Sequence, residues 1–395
     1  MKKIQLISLG ITAIFVLGFV GTANIAAYGV APNQSVSKVA IVYSTGGLGD
    51  NSFNDAAKAG LDAAKATHGD ALEVKEACES SCTVADITTQ LAALEAEGVY
   101  DLIIGIGFSA GDGVTAAASN SSTNFMIIDS VVDLPNVASV TFKEHEGSFL
   151  AGALAAMVTT TKKLGFLGGL DIPLINKFGA GFEHGAKYID STISVTVAYS
   201  PDPNNPWGDL AGGKQVAETM IEAGADVVYA AAGGTGLGVF DAVSAANNAS
   251  TDGAKFYGVG VDSNQDGLSE GNVLTSMLKR VDVAVETQID AVVGGTWAAG
   301  VTELGLAEDG VGITDMAFTN DAKTADHDGD GTSNYDEVSA LKAEIVAGNI
   351  VVVSDYDALN ALTFTATPET ASAPFPLMAS FLAVFSAIGL VRRRN

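Results

Sequence analysis

From Lys38 onward the chain alternates short β-branched runs with longer stretches whose apolar residues recur every three or four positions. The runs "KVAIVYS", "ALEVKEA", "YDLIIGIG" and "NFMIID" form one series of expected strands; "KLGFLGG", "TISVTVAYS", "ADVVYAAA" and "AKFYGVGVD" form a second. Segments such as 54–67 and 212–223 carry the helical period between them. Strand and helix in alternation predict parallel sheets covered on both faces. The series restarts near "VASVTFKEHEGSFLAGALAAM", which predicts an α/β chain of two doubly wound parallel-sheet lobes. The chain is expected to cross between the lobes more than once, so that they interleave as 38–143 plus 275–318 and 144–274 plus 319–355.

In open sheets of this kind ligands bind beyond the carboxyl ends of the strands, and two such sheets facing each other make a cleft. The residues just after each strand are therefore the candidates. Phe53 and Asn54 stand in "GDNSFND", Asp129 ends "NFMIID", Trp207 lies in the loop "PDPNNPWGD" and Asp262 ends "YGVGVD". An aromatic side chain from each lobe can sandwich a flat ring, while carboxylates paired with Lys279 can hold hydroxyls. Taken singly, each has a structural use, Asp129 as a helix cap and Phe53 as core. The set, all at strand ends, points to a site.

Charge narrows the ligand. Against 46 Asp and Glu the chain has only 20 Lys and Arg, a formal charge of -26, which excludes an electrostatic grip on nucleic acid or an anionic membrane surface and favours neutral or cationic solutes. A hydrophobic content of 48% over 395 residues allows a large core, and the length argues for two domains.

Both ends are apolar. "MKKIQLISLGITAIFVLGFVGTANIAA" has the layout of an export signal, expected at 1–31 with cleavage near Ala27 or Ala31, or else retained as an anchor. At the other end a Thr/Ser/Pro linker at 356–374 precedes an uncharged run, 375–391, and then Arg392, Arg393 and Arg394. That run is just long enough to span a bilayer with the arginines on the cytoplasmic side, so 375–395 is expected to be a transmembrane anchor or a sorting signal that tethers the body to the external face of the cytoplasmic membrane. Cys78 and Cys82, in "CESSC", are expected to form a small local disulfide in an exported protein.

Three motifs suggest chemistry. "GFSAG" at 107–111 matches a nucleophile elbow, with Ser109 as the nucleophile, but only His145, His184 and His327 follow it, and a glycine-rich strand-to-helix turn is the better explanation of the pattern. The glycines of "AAAGGTGLGVFDAV" do not fall in dinucleotide-binding order, so no organic cofactor is expected. "DHDGDGTSNYDE" has the spacing of a calcium loop: Asp326, Asp328, Asp330 and Asn334 at positions one, three, five and nine, the carbonyl of Thr332 at seven, and a bidentate Glu337 at twelve. Only its exiting side is helical, with Val338, Leu341 and Ile345 on one face and Gly348-Asn349 as the stop. One structural calcium ion is therefore expected in an accessory loop.

Several longer stretches together resemble the basic membrane protein, or PnrA-like, family of ABC-transporter substrate-binding proteins: "GDNSFND", "GIGF", "FMIIDS", "VTFKEHEGSFLAGALAA", "GFLGGLDIPLINKFGAGF", "AAAGGTGLGV", "VGVDSNQ" and "LTSMLKRVDVAV". The resemblance runs in order from about Lys38 to Asn349. It implies a type I periplasmic-binding-protein fold whose lobes close on a nucleoside, typically a purine nucleoside, for delivery to an ABC permease. Carried over by position, Phe53 and Trp207 match the aromatic residues that stack on the base, Trp207 replacing the more usual Phe; Asn54, Asp129, Asp262 and Lys279 match the polar residues around the ribose. Ser44, in "YSTGG", stands where the family commonly has an Asp that reads the base edge. The expected protein is a monomeric solute receptor and not an enzyme. A sensor using the same cleft, or a hydrolase built on Ser109, are the rival readings.

Overall fold

The computed structural model describes residues 36–364. Its first series of strands is β1 (Ser37–Val42), β2 (Leu72–Ala77), β3 (Leu102–Gly105), β4 (Asn124–Ile128) and β5 (Val137–Phe142). The second is β6 (Lys163–Gly168), β7 (Ser194–Tyr199), β8 (Val227–Ala231), β9 (Tyr257–Asp262) and β10 (Val273–Lys279), followed by the short β11 (Gly300–Leu304) and β12 (Val311–Ile313). They form two six-stranded sheets, in the orders β11-β5-β4-β3-β1-β2 and β12-β10-β9-β8-β6-β7. Every pairing is parallel except β10 with β12. Central strands such as β3 and β8 are buried along their whole length, as apolar runs covered on both faces must be.

The helices of the first lobe are α1 (Phe53–His68), α2 (Val84–Glu97) and α3 (Gly111–Ala118). A capping box between Thr83 and Asp86 starts α2, and Gly98 ends it in the left-handed conformation. The second lobe carries α4 (Glu144–Val158), α5 (Pro173–Ile189), α6 (Leu210–Glu222) and α7 (Leu237–Ala249). Helix α8 (Val281–Val293) returns to the first lobe and packs on α1, whereas α9 (Asn320–Thr324), α10 (Asn334–Val346) and α11 (Tyr356–Ala361) complete the second.

The chain thus crosses between lobes at Lys143, Arg280 and the 305–310 turn. The expected lobe boundaries differ at two places. Residues 275–279 belong to β10, whose partners β9 and β12 are both in the second sheet, and β12 with 311–318 stays in that lobe. The expected linker also starts late: residues 356–361 form α11, capped by the Asp355 side chain, with Leu359 buried against the body. The expected export signal and the 375–395 segment lie outside the described residues. Among the described residues no helix is long and apolar enough to cross a membrane.

Candidate functional site

The carboxyl ends of β1, β3, β4, β8, β9 and β10 converge on one cavity between the lobes, with about 550 Å³ of empty space including its mouth. Ser44, Phe53, Asn54, Asp129, Trp207, Asp262 and Lys279 all line it. So do Asp50, Phe108 and Phe178, which the sequence did not single out. A mostly apolar lining with a few convergent polar groups is what a small-molecule site requires.

Its polar end is organised around Lys279, whose side chain is 2% exposed. The ammonium donates to Asp129 Oδ2 at 2.7 Å and pairs with Glu144 Oε1 at 3.1 Å. Lys177, 3.2 Å from Glu144 Oε2, adds a second cation. The rings of Phe53, Phe142 and Phe178 surround the same ammonium with centroids 5.1, 5.1 and 5.6 Å away. Burial works against the charge on Lys279, but Asp129, Glu144 and Asp262 together outweigh it and hold the amine above the usual lysine range. Burial likewise pushes the Asp129 carboxyl up, with Lys279 opposing. Asp129 Oδ1 is buried in this cavity and receives no hydrogen bond, so an acceptor stands ready for a ligand hydroxyl.

Asp262 sits at the seam. It accepts from Ser52 Oγ at 2.6 Å, across the cleft, and burial pushes its carboxyl up to about 6 against the pull of Lys279 and Ser52. Ser263 Oγ donates to the Ser52 carbonyl at 3.1 Å and Gln265 Nε2 to the Asn51 carbonyl at 2.9 Å. The tip before α1 is therefore fastened to the loop after β9, and the lobes are closed on the cavity. Both Asp129 and Asp262 hold left-handed backbone (φ 63° each), an uncommon conformation that turns each side chain at its strand end.

The other end is aromatic. Trp207 comes from the loop between β7 and α6 and meets Phe108, from the loop after β3, edge to face at 6.4 Å. Its ring lies directly on Gly169: a Cβ there would come within 2.1 Å of the indole, so any side chain at 169 would displace the tryptophan. Phe108 is 37% exposed at the cavity mouth, and Phe178 is buried beside the polar cluster. Phe53 and Trp207 both face the cavity from opposite lobes, but the ring that touches Trp207 is Phe108.

Ser44 and Asn54 are locked together, the Ser44 N–H donating to Asn54 Oδ1 at 2.9 Å. Asp50 collects the N–H groups of Ser52, Asn54 and Asp55 and the side-chain amide of Asn54, which fixes the start of α1. Burial raises its carboxyl and these donors oppose it. The Cys78–Cys82 disulfide closes a loop that braces this segment, since Leu48 N–H donates to the Glu79 carbonyl at 2.8 Å. Ser109 Oγ lies 3.0 Å from Ser44 Oγ, and among the described residues no histidine hydrogen-bonds to it. His184 is engaged by the Val353 N–H, so among the described residues the constellation that a nucleophile elbow needs is not assembled around Ser109.

Comparison with known proteins gives this geometry a context. Residues 37–344 match the family model described as "ABC transporter substrate-binding protein PnrA-like". A Lactococcus lactis protein named ABC transporter nucleoside-binding protein BmpA is 35% identical over 333 residues, covering 80% of this chain and 89% of its own. Basic membrane protein D of Borreliella burgdorferi is 33% identical over 287 residues, 71% of this chain and 80% of its own. An uncharacterized lipoprotein of Pyrococcus horikoshii is 34% identical over 285 residues, with 71% and 69% covered. Among solved structures, a solute-binding protein of an ABC transporter system from Aeropyrum pernix superposes with a TM-score of 0.70 at 29% identity, covering 82% of this chain and 96% of that one.

Proposed function

Because the chain belongs to the PnrA-like family of ABC transporter substrate-binding proteins, we propose that its cleft captures a nucleoside, with purine nucleosides favoured, and hands it to an ABC permease. The observation that carries this reading is the division of the cavity into an aromatic end and a charged end. Phe108 and Trp207 offer faces and edges to a planar base, Phe53 lines the wall beside the Lys279 ammonium, and Asp129 Oδ1, Asp262 and Lys279 offer acceptors and a donor to ribose hydroxyls. Ser44 places an uncharged hydroxyl at the cavity wall, backed by the Ser109 hydroxyl at 3.0 Å, and by the family resemblance it takes the place of an Asp that reads the base edge. Capture needs no bond making, and the Ser109 hydroxyl is already paired with Ser44.

The names of the relatives, lipoproteins and basic membrane proteins among them, support a membrane-associated receptor. The N-terminal export signal and the C-terminal apolar segment would place the body outside the cell and tether it there. The test is calorimetry with a panel of nucleosides, free bases, ribose and amino acids, followed by chromatography of the recovered ligand. Micromolar or tighter binding of a nucleoside, recovered unchanged, is the expected result; binding of a sugar or amino acid alone would overturn it.

A further inference from the structure

Residues 326–337 lie on the second lobe, between α9 and α10, and take no part in the cleft. Asp326 accepts the N–H groups of Gly329 and Gly331 at 2.7 and 2.9 Å, Asp328 that of Asp330 at 3.1 Å, and Asp330 that of Thr332 at 2.7 Å. Gly331 turns the chain with φ 94°, where an L side chain would be strained. One carboxylate oxygen from each of Asp326, Asp328, Asp330 and Glu337 lies within 4.8 Å of the others. Three of these groups are exposed, but Glu337 is only 5% exposed. Its Oε1 is buried with no hydrogen bond, and the His327 Nδ1 at 3.2 Å forms an ion pair with it only while that ring is charged. A buried carboxylate oxygen with no hydrogen bond, directed at three other carboxylates, is doubly unfavourable, through lost solvation and through like-charge repulsion. A bound cation removes both penalties.

We infer that this loop is a calcium site. All donors are oxygens, and they occupy positions one, three, five and twelve of the loop, with the Thr332 carbonyl available at seven. Asn334, at position nine, is fully buried: its Nδ2 donates to the Ala322 carbonyl at 2.9 Å and its N–H to the Ala325 carbonyl at 2.7 Å, while its Oδ1 is buried without a hydrogen bond. Position nine commonly acts on the ion through a water, and the two donated bonds also tie the loop to α9. Glu337 and Val338 are neighbours on α10, whose Val338, Leu341 and Ile345 are buried, and α10 packs on α4. The ion therefore staples α9 to α10 and both to the lobe. The five-residue α9 is too short to act as a lever, so the site stabilises the lobe and does not switch it.

The test uses the full chain, freed of metal with a chelator. Calcium, magnesium and zinc chlorides are titrated calorimetrically, and thermal unfolding is followed by circular dichroism with and without calcium. One calcium ion per chain, a higher melting temperature with calcium, and at least tenfold weaker magnesium binding are expected. Asp328→Asn, at an exposed position, is expected to keep the native dichroism and lose tenfold or more in calcium affinity; Glu337→Gln is expected to do the same. Absence of both calcium heat and a melting shift in the parent chain would overturn the inference. So would calcium binding unchanged in a natively folded Asp328→Asn variant, or zinc binding that depends on His327 and survives Asp330→Asn.

Discussion

Replacing Lys279 by Met keeps the length of the side chain and removes its charge from the centre of the cleft. The ammonium is the one hydrogen-bond donor that Asp129 receives among the described residues, and the Asp129 side chain is 4% exposed. Glu144, 0% exposed, keeps Lys177 at 3.2 Å and loses less. Removing one member of a buried ion pair typically costs about 3–5 kcal/mol, because the other charge is left in a medium that cannot solvate it. The retained Lys177 contact and the packing of the Met chain among Phe53, Phe142 and Phe178 place the expectation at the lower end, about 3 kcal/mol near neutral pH. Pairing Lys279→Met with Asp129→Asn removes both charges and should restore at least half of that loss, while leaving nucleoside binding abolished.

The sign of the pH dependence gives an internal check. Burial already raises the folded-state Asp129 carboxyl above its unfolded value, and losing Lys279 raises it further. A carboxyl raised on folding contributes stability that is present below the unfolded value of about 3.9 and is lost as pH climbs through the folded one. The stability gap between parent and Lys279→Met should therefore be widest at neutral pH and narrow toward about pH 5. Urea unfolding of both proteins across that range measures it. A loss below about 1 kcal/mol at neutral pH, or a gap that widens on acidification, would refute the assignment of Lys279 as the charge that opposes the effect of burial on Asp129.

Four further outcomes are expected. Trp207→Ala should weaken nucleosides and free bases alike, whereas Asp262→Ala should cost ribosides about 1–3 kcal/mol more than free bases, read from paired calorimetric titrations; equal losses would remove Asp262 from the ribose site. Nucleoside affinity should fall roughly tenfold between about pH 7 and pH 5 as Asp262, held at about 6, takes up a proton, while the stability that this carboxyl contributes to the ligand-free protein runs the other way and declines as pH rises through that value. Ser44→Asp should shift the selectivity profile toward purines, because a carboxylate accepts hydrogen bonds only; an unchanged profile would put Ser44 outside base recognition. Chelating calcium should alter nucleoside affinity by less than tenfold, and a larger change would make the loop at 326–337 a regulator.

The two-lobe architecture was legible because strands buried on both faces must be apolar along their length, and "DLIIGIG" or "ADVVYAAA" can hardly be read otherwise. Strand β11 was not, since its "GVTEL" is exposed at a sheet edge, and β12 is a three-residue antiparallel addition with no period to detect. The second crossing falls a few residues later than expected, because "VLTSMLK" sets Thr275 and Ser276 between two apolar pairs and gives no sign of which sheet will take it. At the site, residues at strand ends could be picked out by position and by the family resemblance. Asp50, Phe108, Phe178 and Glu144 could not, because their part in the cavity depends on which elements the fold brings face to face. Lys279 meets Asp129 across 150 residues of sequence, and Glu144 joins them only because α4 begins where the chain first changes lobes. An acidic residue three positions before a helix, as Asp50 is before Phe53, was the one available signal among these.

Native mass spectrometry of the purified, unheated protein, with the ligand ejected and weighed, identifies what the cleft holds. A retained or added molecule with the intact mass of a nucleoside, one per chain, is expected, lost selectively in Trp207→Ala and Asp262→Ala. A sugar, an amino acid or a hydrolysed base and ribose in its place would contradict nucleoside capture.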